Sequence, residues 1–154
     1  MKLSKYFFDY EVGKSNTANI QEILNEPTKE VMVAAQLLAI NVLDPIREHF
    51  GTPFSPQSWY RSEELERFIT KKAFEQWCRN RGSPVSQFSW IEYFNKKSHP
   101  RGEAVDISIP GVDRIDLFNW IKDNIIYDQL ILESTWVHVS FSATYNRKEA
   151  FEIK

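Results

Sequence analysis

Cysteine is nearly absent from this 154-residue chain. Cys78 stands alone, which excludes an internal disulfide framework and a cysteine-rich zinc finger. Histidine is scarce as well, with only His49, His99 and His138. Any metal site must therefore use few imidazoles and at least one carboxylate. An excess of one charge is missing: 19 basic face 21 acidic side chains, a formal net charge of -2. That balance argues against a dedicated nucleic-acid binder. Long hydrophobic runs are missing too. The longest apolar stretch, 31–43, is broken by Gln36 and Asn41 and is too short to span a bilayer. Near the N-terminus, Asp9 and Glu11 interrupt any apolar signal core, so neither a signal peptide nor a membrane partner is expected. Aromatic residues, by contrast, are plentiful: 5 Trp, 6 Tyr and 11 Phe give the chain ample surface to bury. With 42% hydrophobic and 26% charged residues, the composition is that of one folded domain over 1–154 rather than a disordered chain.

Residues 1–27 read as an irregular lead-in. Thr28 is a natural N-cap. Val31, Ala34, Ala35, Leu38, Val42, Ile46 and Phe50 then recur at helical spacing, with Pro45 expected to kink or split the helix near Asp44. Residues 54–60 read as a short strand weakened by Pro56. Ser62 opens a helix expected to run to about Asn80, and 86–97 contain a short aromatic helix. Residues 103–109 alternate like a strand, and Asp113 caps an amphipathic helix through Ile125. Residues 127–133 and 136–142 read as strands joined at Ser134 and Thr135, with 145–154 as an edge strand. The expected class is α+β with a central antiparallel sheet.

Two histidines sit in informative settings. His99 opens the string His-Pro-Arg-Gly-Glu-Ala-Val-Asp, ending at Asp106. His138 alternates with Trp136 and Ser140 on one strand face, expected to be polar and accessible, while Val137, Val139 and Phe141 face the other way. A catalytic zinc site takes three protein ligands and leaves a fourth position for water. His99, Asp106 and His138 supply that set, for one zinc per chain. Asp106 lies between apolar neighbours, where an unpaired carboxylate is costly and metal ligation removes the cost. Glu133, just before the His138 strand, is the candidate to move a proton. His49, at the end of a helix, and Cys78, beside Trp77, read as structural.

The string His99-x-x-Gly102-x-Ala104-x-Asp106 resembles the first zinc motif of the D-alanyl-D-alanine metallopeptidases. That family includes VanX-type dipeptidases and phage L-alanyl-D-glutamate endolysins, and shares its fold with the hedgehog signalling domain. Trp136-x-His138 resembles the second zinc motif. Tyr60-Arg61-Ser62 is similar to the family's Ser-x-Tyr-Arg-Ser stretch, and Leu43-x-Pro45-Ile46-Arg47-Glu48-x-Phe50-Gly51 to the helix before it. Asp128-Gln129-Leu130-Ile131-x-Glu133 is similar to the run before the second motif. The resemblance spans about 30–147 in the family's order.

This resemblance implies a hedgehog/DD-peptidase-like fold with His99, Asp106 and His138 as zinc ligands. It implies Glu133 as general base and Arg61 as a substrate contact. The expected activity is zinc-dependent hydrolysis of a peptide bond in bacterial peptidoglycan stem peptides by a phage-encoded endopeptidase. A D,D-carboxypeptidase releasing D-alanine, or an inactive zinc-fold binding protein of a virion, are the alternatives. The expected location is the host cytoplasm or the virion, acting on the cell wall. Two departures from the family stand out. Lys97 replaces the frequent Ser two residues before the first His, and 66–97 form an atypical insertion. Nine basic against five acidic residues lie between Arg61 and Arg101. Lys71, Lys72, Arg79 and Arg81 make this insertion a possible contact for a wall polymer or virion protein.

Overall fold

The structure is a computed structural model and describes residues 1–153. The chain begins with a 3₁₀ turn at Asp9–Glu11 and a short helix α1 (Asn16–Ile20). Leu3, Phe7 and Val12 of this lead-in are buried in the main core. The Asp44 carboxylate anchors it, accepting hydrogen bonds from Ser4 Oγ at 2.8 Å and the Lys5 backbone N–H at 3.1 Å.

Thr28 caps α2 (Lys29–Leu38) by accepting the Val31 N–H, as the sequence led us to expect. A π-helical turn, Ala39–Leu43, separates α2 from α3 (Asp44–Phe50). Pro45 explains it. Proline has no N–H for the Asn41 carbonyl, and its ring would clash there. The Asp44 N–H instead reaches back five residues to the Ala39 carbonyl. Gly51, with φ of 70°, ends α3 in the left-handed region.

The expected strand at 54–60 does not form. Pro53 and Pro56 lack donors for a ladder. One bridge at Ser58 remains, with Gln57 N–H to Asp106 O and Asp106 N–H to Ser58 O both at 2.9 Å. Nor is the helix after Ser62 continuous. It divides at Thr70 into α4 (Glu63–Ile69) and α5 (Lys71–Arg81). The Thr70 hydroxyl donates to the Glu66 carbonyl at 2.7 Å, a back-bond that bends helices. Helix α6 (Gln87–Phe94) follows, then a 3₁₀ turn at His99–Arg101, strand β1 (Ala104–Ile107) and helix α7 (Arg114–Asn124), capped by Asp113. Strands β2 (Gln129–Leu132), β3 (Val137–Ser140) and β4 (Glu149–Glu152) complete the chain.

The class is α+β, but the sheet is mixed rather than antiparallel. Its order is β1-β3-β2-β4, with β3 antiparallel to both neighbours and β4 parallel to β2. Both edges of β3 are taken, so the chain leaving Ser140 cannot fold back on it. Ser140 already lies beside the start of β2, where its carbonyl accepts the Asp128 N–H at 2.8 Å. A strand begun there runs the same way as β2. The described edge strand is shorter than expected, and Lys154 lies outside the described residues.

The main core packs α2, α3 and α7 against one sheet face through Leu38, Ile46, Leu117, Ile121, Val105, Val137 and Val139. A second apolar cluster, Phe74, Cys78, Trp90 and Tyr93, lies between α5 and α6. The other sheet face carries the candidate site.

Candidate metal centre

Three elements converge on one point. Asp106 in β1 and His138 in β3 are direct cross-strand partners, so their side chains share a face of the sheet. His99 arrives from the 3₁₀ turn that leads into β1. Gly102 closes that turn at φ of 74°, and its Cα sits so close to α2 that a Cβ would meet the Val31 carbonyl oxygen at 2.7 Å. Only glycine satisfies both conditions.

His138 Nδ1 lies 3.0 Å from Asp106 Oδ1, and His99 Nε2 lies 3.4 Å from the same oxygen. For metal–ligand bonds of about 2.1 Å, the edge of a tetrahedron is about 3.4 Å. All three donor atoms lie within 4.8 Å of one another, and the group could hold a metal ion. The ring of His99 is fixed for this task. Its Nδ1 is 2.6 Å from the Trp59 carbonyl, which only accepts, so Nδ1 carries the proton and Nε2 presents its lone pair.

Electrostatics agree with the geometry. Burial pushes the His99 ring toward its neutral form, although the Asp106 charge opposes this. Burial works against the Asp106 carboxylate, yet the His99 and His138 rings outweigh it and hold the carboxyl well below its ordinary range. Metal ligation needs each group deprotonated, a form that burial favours for His99 and that the two rings favour for Asp106.

Arg61 lies at the edge of this group, and its guanidinium is largely engaged within the protein. Nε donates to Ser58 Oγ at 3.0 Å, one terminal nitrogen to Glu66 Oε2 at 3.1 Å and the other to Asp106 Oδ2 at 3.1 Å. Glu66 is 1% exposed and was not singled out from the sequence. The acidic neighbours of Arg61, Glu63 and Glu64, face outward, and Glu63 accepts the Trp90 indole N–H. In the folded helix Glu66 lies beside Leu65, and both are buried.

Glu133 lines the same cleft, of ≈ 560 Å³, as Arg61, His99, Asp106 and His138. It follows β2 directly and lies across from Trp136, whose carbonyl accepts its N–H at 3.0 Å, while Arg114 donates to its carbonyl. Burial, then the nearby Asp106 charge, raise its pKa above the ordinary carboxyl value. The Trp136 indole N–H is buried and unpaired among the described residues.

The face bearing His138 is less open than its polar residues suggested. Ser140 is 1% exposed and its hydroxyl accepts the Gln129 N–H. The cover over His138 comes from the insertion: Ile69, Thr70, Trp77, Tyr93, Lys96 and Lys97 form the opposite wall of the cleft. His49 stacks on Trp120 at 4.3 Å between ring centroids, outside the ligand group, and Cys78 is buried in the second cluster. No helix among the described residues is long and apolar enough to cross a membrane. Among known proteins, no family model, curated relative or solved structure matches the chain.

Proposed function

We propose that this protein is a zinc peptidase of hedgehog/DD-peptidase-like fold that hydrolyses a peptide bond in bacterial peptidoglycan stem peptides. One observation carries the reading: two imidazoles and one carboxylate meet at near-tetrahedral spacing in a cleft that also holds a carboxyl group of raised pKa. His99 Nε2, Asp106 Oδ1 and His138 Nδ1 are the atoms that would hold the ion. Bound there, zinc supplies a Lewis acid that polarises a carbonyl and brings the pKa of water to about 7.

The chain's own groups do the rest. Glu133 takes a proton from the attacking water on its carboxylate and delivers it to the leaving amine, a task favoured by its raised pKa. Arg61 fixes Asp106 through Oδ2 and leaves Oδ1 directed at the two imidazoles.

Metal analysis of the purified protein is expected to find about one zinc per chain, and digestion of purified peptidoglycan to release new amino groups. A chelator should stop the release and added zinc restore it. Amine release that persists in His138→Ala, or a protein that takes up no zinc, counts decisively against the reading.

A further inference from the structure

The basic residues of the insertion do not act as one surface. Arg81 pairs with Glu92 at 2.8 Å and Arg79 with Gln76, while Lys71 and Lys72 point outward from α5. Lys96 and Lys97, just beyond α6, line the cleft instead. The Lys97 ammonium sits 4.2 Å from the Tyr93 ring centroid, and that of Lys96 lies 5.4 Å from the centroid of Trp77. These contacts hold the two ammonium groups against the aromatic wall. Neither ammonium has a carboxylate within 4.0 Å among the described residues, although Arg61, Arg81, Arg101 and Arg147 each have one. The backbone beneath them is fixed: Arg101 donates to the Lys97 carbonyl at 2.6 Å and to that of Asn95 at 3.3 Å.

We propose that Lys96 and Lys97 form an anion subsite that recognises a free carboxylate on the peptide substrate. The proposal rests on the peptidase reading of the metal centre. Lys97 precedes the ligand His99 by two residues, a span of at most about 7 Å. Because both lysines line the same cleft as His99, the carboxylate they receive lies on the part of the peptide held in that cleft. A concave pair of cations against apolar Ile69, Ala73 and Trp77 suits a short peptide bearing one acid group. A long wall polyanion would instead need a track of free charges on an outer face, where Arg81 is already paired with Glu92.

The test uses the zinc-loaded full chain and two forms of L-alanyl-γ-D-glutamyl-L-lysyl-D-alanyl-D-alanine. One carries free carboxylates and the other is fully amidated. Binding is read by NMR titration and amine release is followed in the same samples. The native protein should bind the acid about tenfold more tightly than the amide, the scale of a hydrogen bond to a charged group. In Lys96→Gln/Lys97→Gln the two peptides should bind alike. The ratio should persist in Lys71→Gln/Lys72→Gln and return in Lys96→Arg/Lys97→Arg, which a merely structural role would not produce. Equal binding by the native protein, or an unchanged ratio in the cleft variant, overturns the proposal. So does a cleft variant that loses poly(glycerol phosphate) binding while keeping its acid preference. If neither peptide is cleaved by the native protein, the peptidase reading fails, yet the binding ratio still decides the subsite.

Discussion

Arg61 illustrates how a side chain lining the cleft can be engaged by its own protein. Its motif neighbours place it in the cleft, but the guanidinium clamps Asp106 and Glu66, both buried. Removing the charge of Glu66 leaves a cation with a lost partner in a dry setting, a change that costs about 3–5 kcal/mol. Glu66→Gln is therefore expected to lower the thermal midpoint and to weaken metal affinity about 10–100-fold by freeing Asp106 to turn. Zinc competition against a fluorescent chelator measures this, and unchanged affinity would show that Arg61 holds Asp106 without the Glu66 charge. Glu133 predicts the opposite pattern. Glu133→Gln should keep its zinc and lose about 10²–10⁴ in turnover, because only the proton transfer is removed. The meeting of His99, Asp106 and His138 in a group that could hold a metal ion was foreshadowed by residue types, because an aspartate between apolar neighbours and a histidine on a polar strand face each need a reason. Glu66 was hidden because nothing local separates it from Glu63 and Glu64 until α4 is docked.

Elements differed from their sequence signals through local competition in some places and through a tertiary constraint in others. Helix caps at Thr28, Ser62 and Asp113 were readable because each depends on a residue and its next three neighbours. The break at Thr70 and the parallel course of β4 were not, since the first depends on a side-chain back-bond and the second on which edges of the sheet are free. The turn carrying His99 is the element on which the site depends most. Gly102→Ala would force a side chain into positive φ and against Val31, together costing about 2–4 kcal/mol. Zinc affinity should fall with stability in this variant, measured by denaturant unfolding with and without metal. Loss of stability alone would mean that the turn can shift without moving His99. β4 is tied differently, by Arg147 donating to both oxygens of Asp128 at 3.0 and 2.9 Å. The hydrogen bonds from Arg147 hold the Asp128 carboxyl below its ordinary 3.8, with partial burial opposing. A depressed pKa contributes stability above the unfolded value, which is lost as pH falls through the folded one. Solvent screens this half-exposed pair, so the contribution is about 0.5–1 kcal/mol. Asp128→Asn should accordingly destabilise the protein at neutral pH, and the difference from the native protein should vanish as pH falls below 3.8.

At the scale of the whole molecule, the cleft is bounded by two apolar cores that share no residue. The larger core supports the sheet and hence Asp106 and His138. The smaller one, Phe74, Cys78, Trp90 and Tyr93, supports the wall carrying Lys96 and Lys97. Composition showed enough aromatics for a core but not that they would divide, because the division follows from α5 and α6 packing on each other. Small clusters bury less surface and open at lower free energy than a main core. The wall should therefore unfold locally before the sheet does. Phe74→Ala removes the ring that meets Trp90 edge-on at 5.2 Å and costs about 3–5 kcal/mol, more than a satellite cluster can absorb. In this variant, amides of 71–94 are expected to exchange together and fast, while those of β1, β2 and β3 stay protected and zinc remains bound. Substrate selection would then be lost without loss of the metal centre. If every amide instead loses protection in step, the two cores fold as one unit, and the wall cannot open independently of the site it covers.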